Sequence, residues 1–423
     1  NAWVIRSGTT LDASIISKAD KLAVIGRAGV GIDNIDISAA TRKGVVVMNT
    51  PDANTISAAE HTMALLLSLS RNVSYGHQSI LSGNWDRHKF IGSELRGKFL
   101  GIIGLGKIGR EVMQRALGFN MKILGFDPFI KEEMLRPDEI ELLDLNELVE
   151  KSDFITIHIP LTNDTKNLFD YKMLNKMKKE ARIINVARGG IINESDLAKV
   201  LHEGNIGGAA LDVFENEPIE STNPLLNAPN LILTPHLGGS TNEAKAGVST
   251  AICNQIKNYL INEDLENAVN FPLQDSSDLK GISSFLDLAD NLGIIHRNIS
   301  EGPIKRVEIN CYGTLDQIKP ISLSFLRSLL QNRVPERVNF INAETIAKEL
   351  GIELSINYST SNSNYSNLIS ARVIAKNDII FEGSVFNDDL PRLVNLMGYK
   401  MEVNLKGTLL FIQNDDVPGV VGK

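Results

Sequence analysis

Short apolar runs alternate with helical periods through the middle of the chain. The run "FLGIIG" at 99–104 is typical of a buried strand, and "KIGREVMQRAL" at 107–117 has apolar side chains at the spacing of one helix face. The alternation continues through "MKILGFD", "FITIHIP", "RIINVAR", "GAALDVF" and "LILTPH". Strands that alternate with helices form βαβ units, so the pattern predicts a parallel sheet that helices cover on both faces.

Other patterns flank this block. Upstream, "AWVIRS", "KLAVIGRAG" and "GVVVMNTP" predict three short strands, with a helix-like "NIDISAATRKG" between the last two. Long helical patterns at 55–73 and 241–262 enter and leave the block, as expected when one domain is inserted into another. Beyond residue 271 charged helices alternate with amphipathic strands, and the polar tract at 358–367 predicts a hairpin loop. A new strand is predicted after Leu405.

Length and composition narrow the class of protein. A chain of 423 residues is too long for one ordinary core, and 43% hydrophobic with 22% charged residues describe a soluble globular protein. The net charge of −8 argues against a nucleic-acid or anionic-membrane surface. Cys253 and Cys311 lie far apart in apolar stretches, which fits a reducing cytoplasm and excludes a disulfide framework. No apolar run reaches the roughly 18 residues of a membrane span.

The segment "GIIGLGKIGREV" contains glycines at 104, 106 and 109 in the order G-x-G-x-x-G. Alone this is a glycine-rich turn, but here it follows a predicted strand and opens a predicted helix. Gly104 permits the tight turn, Gly106 admits a pyrophosphate, and Gly109 lets helix and strand pack closely. Asp127 ends the next strand, where a carboxylate binds the adenosine ribose hydroxyls and repels a 2′-phosphate. The context predicts a dinucleotide site that prefers NAD over NADP.

Three ionisable residues follow later strands of the same predicted sheet. Arg188 comes after "IINVA", Glu217 after "LDVFEN" and His236 after "LILTP". Because parallel strands end at one edge, these side chains are expected on a common rim. A loop arginine, a turn carboxylate and a loop or core histidine are the alternatives. His158 is a rival base whose position better suits cofactor contact, and His61 lies within a helix and is interpreted as packing.

The chemistry of hydride transfer requires these residue types. Oxidation of a secondary alcohol needs a group that takes the hydroxyl proton, and histidine titrates in the useful range. A neighbouring carboxylate fixes the ring and raises its pKa, and an arginine fork binds a substrate carboxylate or polarises a carbonyl. No metal-ligand spacing such as HExxH or CxxC is present, so no metal is predicted.

The segments "GLGKIGREV", "NVARGGIINE", "ALDVFENEP" and "PHLGGST" together resemble the D-2-hydroxyacid dehydrogenase family. "GRAGVGIDNIDISAATRKGVVVMNTP" and "RVNFINAETIAKELGIEL" resemble its long, multidomain members. The resemblance implies NAD-dependent oxidation of D-3-phosphoglycerate to 3-phosphohydroxypyruvate, the first step of L-serine biosynthesis. It implies catalytic roles for Arg188, Glu217 and His236. It implies further cofactor contacts from Lys107, Ile108, Asp127, His158, Ile159, Pro160, Thr165, Val186, Ala187, Arg188, Asp212, His236, Gly238 and Gly239.

For the substrate, the resemblance points to "VIRSGT" and "GRAGVG". Arg6 and Arg27 are candidates for the phosphate, and a surface salt bridge is the alternative for Arg6. Ser7 and the backbone around Gly29, Val30 and Gly31 suit the carboxylate. A phosphorylated hydroxy acid carries about three negative charges, which arginine forks bind well.

The resemblance also implies an architecture. A Rossmann-type doubly wound parallel sheet (53–238) is inserted into a smaller flavodoxin-like α/β substrate domain (1–52 and 239–270). An α+β intervening domain (271–403) and the start of an ACT-type regulatory domain (404–423) follow. The first substrate-domain strands and most of the ACT domain are missing from this pattern. We therefore expect the chain to bind NAD but to turn over substrate poorly.

Two other functions stay open at this point. A sibling reductase acting on glyoxylate or hydroxypyruvate would share the motifs, although such relatives usually stop near residue 262. A non-enzymatic NAD-sensing scaffold would keep the glycine-rich turn and add a peptide-binding groove. The apolar helix at 55–73 predicts a homodimer or homotetramer, because its apolar residues exceed one face. We expect a cytoplasmic enzyme with no nucleic-acid or membrane partner.

Overall fold

The computed structural model describes residues 1–6, 8–130, 139–262, 264–271, 281–313, 315, 318–360, 365–386 and 389–412. The chain forms two compact units, one made of residues 1–50 and 251–423 and the other of residues 51–250. The first unit is therefore discontinuous along the sequence, whereas the second is one continuous stretch.

The first three strands form a small parallel sheet. They are β1 (Ala2–Ile5), β2 (Val24–Arg27) and β3 (Val46–Met48), in the order β1-β2-β3. Helices α1 (Ala13–Ser17) and α2 (Ile37–Arg42) connect them. Asp12 and Asp36 cap these helices by accepting a backbone N–H, and Ile16 of α1 and Ile25 of β2 are fully buried. The predicted amino-terminal strands are present and parallel.

The second unit contains a seven-stranded parallel sheet. Its strands are β4 (Phe99–Ile103), β5 (Lys122–Phe126), β6 (Glu141–Leu142), β7 (Phe154–Ile157), β8 (Arg182–Asn185), β9 (Gly208–Leu211) and β10 (Leu231–Leu233). Their order is β10-β9-β8-β7-β4-β5-β6. The chain adds β5 and β6 on one side of β4 and then β7 on the other. This doubly wound order opens a crevice beyond β4 and β7 and confirms the predicted Rossmann-type sheet.

Helices cover both faces of this sheet. The helices of this unit are α3 (Thr55–Ser70), α4 (Val73–Leu81), α5 (Lys107–Gly118), α6 (Leu145–Lys151), α7 (Tyr171–Leu174), α8 (Glu194–Glu203) and the first part of α9 (Asn242–Asn262), whose last residues belong to the other unit. Ile183 packs with Leu197 of α8 in one buried cluster, whereas its neighbour Ile184 packs with Leu66 of α3 and Val112 of α5 in another. Successive side chains of a strand point to opposite faces, so each face has its own core.

Two helices differ from the sequence pattern. The helix predicted over 55–73 ends at Ser70, because Asn72 has a left-handed φ of 54° and α4 starts anew at Val73. The helical pattern "DYKMLNKMKKE" yields only α7. There Asn175 is the C-cap of α7, and its side chain donates to the Tyr171 carbonyl at 2.7 Å.

The rest of the first unit is a mixed six-stranded sheet packed against helices. The strands are β11 (Arg306–Gly313), β12 (Glu353–Ser359), β13 (Asn367–Ile374), β14 (Asp378–Val385), β15 (Pro391–Leu396) and β16 (Tyr399–Asn404), in the order β12-β11-β13-β14-β15-β16. The helices are α10 (Ser283–Ile299), α11 (Ile318–Leu330) and α12 (Ala343–Glu349). Leu288, Leu292 and Phe325 are fully buried in this core. The predicted α+β texture is confirmed.

Two predictions in this region are wrong. The tract at 358–367 is not a hairpin loop, because β12 and β13 both pair with β11 rather than with each other. The strand expected after Leu405 does not form over residues 405–412, which have no sheet neighbour within the described ranges. Leu410 and Ile412 are largely exposed there. The remaining residues of the predicted ACT segment, 413–423, lie outside the described residues.

Over the described ranges, no helix combines the length and the apolar character that crossing a membrane requires. The domain boundaries predicted at residues 52, 238, 270 and 403 stay predictions. Along the sequence, the boundaries between the two compact units fall after residues 50 and 250. The chain therefore passes from one unit to the other twice.

Candidate active site

The glycine-rich turn after β4 leads directly into α5. Gly104 has a positive φ of 93°, and a Cβ there would lie 2.5 Å from the His158 carbonyl oxygen. A Cβ at Gly109 would lie 2.0 Å from the Gly104 carbonyl oxygen, so only glycine permits this packing. Gly106 is the N-cap of α5, makes no side-chain cap and faces open space. The first backbone N–H groups of α5 are thus presented to an anion.

Asp127 follows β5 beside this turn. Its Oδ2 accepts the Leu105 N–H at 2.9 Å, and its Oδ1 accepts the Phe129 N–H at 2.9 Å. These two bonds fix the half-buried carboxylate, and each oxygen keeps a lone pair for a hydroxyl. The open cradle at Gly106 and this carboxylate fit the pyrophosphate and adenosine ribose of NAD.

Across the crevice, the chain leaves β7 through His158, Ile159 and Pro160. A Cβ at Gly104 would lie 2.8 Å from the Ile159 Cγ2, so this segment lines the glycine-rich turn. The Thr165 hydroxyl donates to the Pro160 carbonyl at 2.7 Å and closes the following loop. Burial lowers the pKa of His158, which makes its ring a weak proton acceptor. The low pKa makes His158 a weaker candidate for the base than His236, and its cofactor contact stays a prediction.

His236 and Glu217 form a hydrogen-bonded pair beyond β9 and β10. The His236 Nδ1 lies 2.7 Å from Glu217 Oε2, and Glu217 Oε1 accepts the Phe214 N–H at 3.1 Å. Because an ionised carboxylate only accepts, Nδ1 carries the proton and Nε2 keeps its lone pair. The bond to Glu217 raises the pKa of His236. Burial alone would raise the pKa of Glu217, but the hydrogen bonds from His236 and Phe214 lower it.

Arg188 lies in a tight turn after β8. Asn185 shapes this turn, since its Nδ2 donates to the Arg188 carbonyl at 2.8 Å and its Oδ1 accepts the Ala187 N–H at 2.9 Å. A Cβ at Gly189 would lie 1.9 Å from the Phe214 carbonyl oxygen. Gly189, the first of the two glycines in "ARGG", therefore lets the turn that carries Arg188 lie against the segment after β9. The sequence pattern did not identify Asn185, although an Asn at a strand end is a common turn signal.

The structure brings the three predicted catalytic residues to one rim. They follow β8, β9 and β10, which are adjacent and parallel. Glu217 raises the pKa of His236, and the charge of Arg188 lowers it by a smaller amount. The effect of Arg188 indicates that its guanidinium lies near the His236 ring. The three residues predicted to act as base, orienting carboxylate and anion-binding cation therefore lie at the ends of adjacent strands.

Asp212 is fully buried at the end of β9. Its carboxylate accepts the Leu237 N–H at 2.7 Å, the Gly238 N–H at 2.8 Å and the Thr234 hydroxyl at 2.5 Å, and His61 Nε2 lies 3.1 Å away. Burial alone would raise the pKa of Asp212, but these hydrogen bonds lower it. The sequence pattern missed this contact of His61, because nothing in a helical period indicates a partner 151 positions away.

The other predicted cofactor residues lie at strand ends or at the start of α5. Four of them follow strands of the sheet: Val186, Ala187, Gly238 and Gly239. A Cβ at Gly238 would lie 2.9 Å from Val186 Cγ1, so these segments touch. Lys107 is the first residue of α5 and forms an ion pair with Asp52, and Ile108 packs partly buried against the core. In the part of the chain that the structure describes, no three His, Cys, Asp or Glu side chains are grouped to hold a metal.

The predicted substrate residues of the first unit gather at the ends of β1 and β2. Ile5 pairs with Arg27 in the parallel register, so Arg6 and Arg27 leave neighbouring strands at the same edge. The Arg27 guanidinium bends over its own loop, where a Cβ at Gly29 would lie 1.5 Å from its Nη1. Val30 and Gly31 continue this loop, and the Val30 carbonyl accepts the Asn49 side chain at 2.7 Å. Ser7 lies outside the described residues.

Two family models match the chain. Residues 63–238 match the D-isomer specific 2-hydroxyacid dehydrogenase NAD binding domain, and residues 281–397 match the D-3-phosphoglycerate dehydrogenase intervening domain. The first match spans the glycine-rich turn and the rim of Arg188, Glu217 and His236. The second spans most of the six-stranded sheet.

The chain is also similar to named proteins over its whole length. It is 43% identical over 426 residues to the D-3-phosphoglycerate dehydrogenase of Methanocaldococcus jannaschii, covering 99% of this chain and 80% of that protein. It is 38% identical to the Bacillus subtilis protein of that name, covering 100% and 81%. The NAD-dependent formate dehydrogenase from Staphylococcus aureus in complex with NAD has 32% identity and a TM-score of 0.59, over 63% of this chain and 81% of that one. The chain therefore belongs to the D-3-phosphoglycerate dehydrogenases, a family of NAD-dependent D-2-hydroxyacid dehydrogenases.

Proposed function

We propose that this enzyme oxidises D-3-phosphoglycerate to 3-phosphohydroxypyruvate, the first step of L-serine biosynthesis. The observation that carries the reaction is the 2.7 Å hydrogen bond between His236 and Glu217, with Arg188 on the same rim. Similarity to D-3-phosphoglycerate dehydrogenases over the whole chain supports the substrate.

The reaction removes a proton from the C2 hydroxyl and a hydride from C2 itself. NAD, when bound, supplies the acceptor for the hydride. His236 accepts the hydroxyl proton at Nε2, because its Nδ1–H is held by Glu217. Glu217 stabilises the imidazolium that results and keeps the ring oriented. The fork of Arg188 binds the substrate carboxylate or polarises the oxygen that becomes a carbonyl.

The first unit supplies candidates for the anionic groups of the substrate. Arg6 is exposed and Arg27 is half-buried, and both follow parallel strands at one edge. Two arginines that follow neighbouring strands at one edge suit a phosphate, which takes several charge-assisted hydrogen bonds. The backbone of the loop at Gly29, Val30 and Gly31 supplies N–H groups for the carboxylate, and Ser7 is retained as a predicted contact.

The alternatives are less well supported. A glyoxylate or hydroxypyruvate reductase would need the same rim, but the match of residues 281–397 to a D-3-phosphoglycerate dehydrogenase domain favours the phosphorylated substrate. A non-enzymatic NAD-sensing scaffold would not need a histidine whose Nε2 is left free by a carboxylate. The pair of His236 and Glu217 therefore favours an enzyme.

Turnover by the purified chain tests the proposal. D-3-phosphoglycerate with NAD should produce NADH, and His236→Asn should abolish this because the base is removed. Titration calorimetry should still show NAD binding by this variant, because the glycine-rich turn and Asp127 are untouched and His236 is only one of the predicted NAD contacts. Faster turnover of glyoxylate with NADH than of the phosphorylated pair would support the reductase. NAD binding without turnover of any 2-hydroxy acid would support the scaffold.

We also propose that the enzyme forms a homodimer or homotetramer. Helix α4 buries none of its residues, and the segment from 73 to 91 exposes large apolar side chains. They are Val73, Ile80, Leu81, Trp85 and Ile91, with Trp85 and Ile91 at least 80% exposed. An apolar stretch of this kind is typical of a protein interface. Sedimentation at micromolar concentration should give a dimer or tetramer, and a Trp85→Asp, Ile91→Asp double variant should give monomers.

A cytoplasmic location remains a proposal. Both cysteines are free thiols: Cys253 is exposed and Cys311 is buried in the six-stranded sheet. Burial raises the pKa of Cys311 to about 12, which leaves this thiol unreactive. Two unpaired cysteines are usual in a reducing compartment. The net charge of −8 supports the expectation of small-molecule rather than nucleic-acid or membrane partners.

A further inference from the structure

His61 lies on α3, but its ring contacts polar rather than apolar atoms. Its Nε2 is 3.1 Å from Asp212 Oδ1 and 3.2 Å from the Thr234 hydroxyl oxygen. The Thr234 hydroxyl gives its own proton to the same Asp212 oxygen at 2.5 Å. Both neighbours of Nε2 are therefore acceptors, so Nε2 carries a proton and donates it to them.

Asp212 connects this contact to the loop that follows β10. Its carboxylate accepts the backbone N–H of Leu237 at 2.7 Å and of Gly238 at 2.8 Å. Its main-chain carbonyl accepts the N–H of His236 at 3.0 Å. Asp212 thus accepts hydrogen bonds from three successive N–H groups of the loop. The orientation of its carboxylate decides whether the N–H groups of Leu237 and Gly238 have an acceptor.

The loop needs such support because of the backbone of His236. This residue has a φ of 53°, in the left-handed region that a side chain with a Cβ disfavours. A backbone of this kind persists only where the surrounding contacts hold it. The same backbone directs the imidazole towards Glu217, where Nδ1 makes its 2.7 Å bond.

We infer that His61 is a positioning residue: its Nε2–H orients the Asp212 carboxylate, which in turn holds the loop that aims His236 at Glu217. The inference rests on the proposed function, because His236 matters to turnover only as the proton acceptor. His61 touches neither the glycine-rich turn nor Asp127 in the contacts described here. Its loss should therefore lower kcat more strongly than NAD affinity, because the glycine-rich turn and Asp127 stay intact while the loop after β10 is loosened.

Three substitutions separate positioning from packing. His61→Leu keeps bulk but removes the donor, and His61→Asn keeps a donor that is too short to reach Asp212. His61→Gln carries an amide N–H near the position of Nε2. Leu and Asn should lower kcat by about tenfold to a hundredfold, the range for a catalytic group misplaced by about 1 Å, and Gln should restore it to within about threefold. A packing role would instead make Leu the mildest change.

Ser57→Ala is the matched control. Ser57 lies on the same helix, and its hydroxyl is 2.8 Å from that of Thr241, just beyond the loop. Removing this bond also loosens α3 from the chain after β10 but leaves Asp212 intact, so kcat should change by less than about twofold. Melting temperature and NAD affinity, measured for all variants, ensure that only folded proteins are compared.

The route through Asp212 is tested by combination and by titration. In an Asp212→Asn background, His61→Leu should cause no further loss, because the two residues act as one unit. Histidine-labelled NMR should show a lower pKa for His236 in the Leu and Asn variants but not in the Gln variant, since the Glu217 bond that raises it is weakened. This titration requires no turnover.

The outcomes are distinct for the two proposals. If the wild-type chain turns over D-3-phosphoglycerate while His61→Leu keeps its kcat and its His236 pKa, only the positioning role is overturned. Equal losses in the Leu and Gln variants would also overturn it. If no 2-hydroxy acid is turned over, the proposed function fails, and the His236 titration alone decides whether His61 positions the loop.

Discussion

Arg188 depends on the shape of its side chain as much as on its charge. The turn that holds it is fixed by Asn185 and by the close approach at Gly189, and its Nη1 donates to the Ala187 carbonyl at 2.6 Å. Arg188→Lys keeps the charge but loses the planar fork. We expect kcat/KM to fall by about tenfold to a hundredfold, because a charge-assisted bidentate contact is worth about 1.5–3 kcal/mol.

The same substitution at Arg182 is the control for Arg188→Lys. Arg182 begins β8, at the opposite end from Arg188, and its guanidinium lies over the Phe154 ring at 5.6 Å. Arg182→Lys should change stability rather than kcat/KM. Steady-state kinetics and a thermal melt separate these outcomes. An Arg188→Lys enzyme with wild-type kcat/KM would make Arg188 an ordinary turn residue.

Asp127 should decide the choice between NAD and NADP. Its carboxylate accepts the backbone N–H groups of Leu105 and Phe129, which fix it at the position predicted for the ribose 2′-substituent. Asp127→Ser should weaken NAD binding by about tenfold, because the carboxylate that accepts from the ribose hydroxyls is lost. It should also reduce the ratio of NAD affinity to NADP affinity, because the repulsion of a 2′-phosphate is removed. Binding of both cofactors by fluorescence titration measures this ratio. Equal use of NADP by the wild-type enzyme would contradict the assignment.

Residues at strand ends were the most predictable part of the site. Arg188, Glu217 and His236 could be grouped from the sequence, because parallel strands end at one edge and the apolar runs mark each end. His61 could not, because its partner Asp212 is reached across the fold from a helix whose period indicates only packing. Contacts that depend on which helix covers which strand need the three-dimensional structure.

At the scale of elements, α5 and the turn before it act as one unit. A methyl group at Gly109 would meet the Gly104 carbonyl oxygen at 2.0 Å, so Gly109→Ala must push the helix away from the turn. NAD affinity should fall by at least about tenfold, because the helix N-terminus moves from the phosphates. Gly118→Ala, in the same helix and facing open space, should keep NAD affinity and stabilise slightly. Titration calorimetry and thermal melts compare the two; equal affinities would contradict this account.

Element boundaries were less predictable than element types. The long helical pattern at 55–73 gave no sign that Asn72 would take a left-handed backbone and divide it into α3 and α4. The tract between β12 and β13 contains the residues of a hairpin loop, yet both strands pair with β11. Local composition determines that the chain turns, whereas the sheet order depends on long-range pairing.

At the scale of the whole molecule, His296 should make folding sensitive to acid. The ring is fully buried between Phe325 and Phe381, Nε2 bonds the Ala371 carbonyl, and burial lowers its pKa to about 4. The unfolded chain keeps the ordinary pKa near 6.5 and binds the proton first. Stability from this group is therefore complete above about pH 6.5 and falls by up to about 3 kcal/mol as the pH approaches 4.

His296→Gln isolates this contribution, because glutamine keeps an N–H for the Ala371 carbonyl but cannot ionise. Urea unfolding at about pH 8 and about pH 4.5 should show a smaller loss of stability in the variant than in the wild type. The difference removes the effect of the carboxylates, which both proteins share. The same acid sensitivity in both proteins would show that His296 is not its source.

The left-handed backbone of His236 has a consequence for selection. Glycine and asparagine adopt this conformation more readily than histidine, so either would relieve backbone strain in the loop while removing the proposed proton acceptor. Stability and activity therefore make opposite demands on this position. A library randomised at 236 and sorted only for heat resistance should enrich glycine and asparagine, whereas sorting for turnover should return histidine. The residue found at position 236 after sorting would therefore show whether a library was selected for stability or for activity.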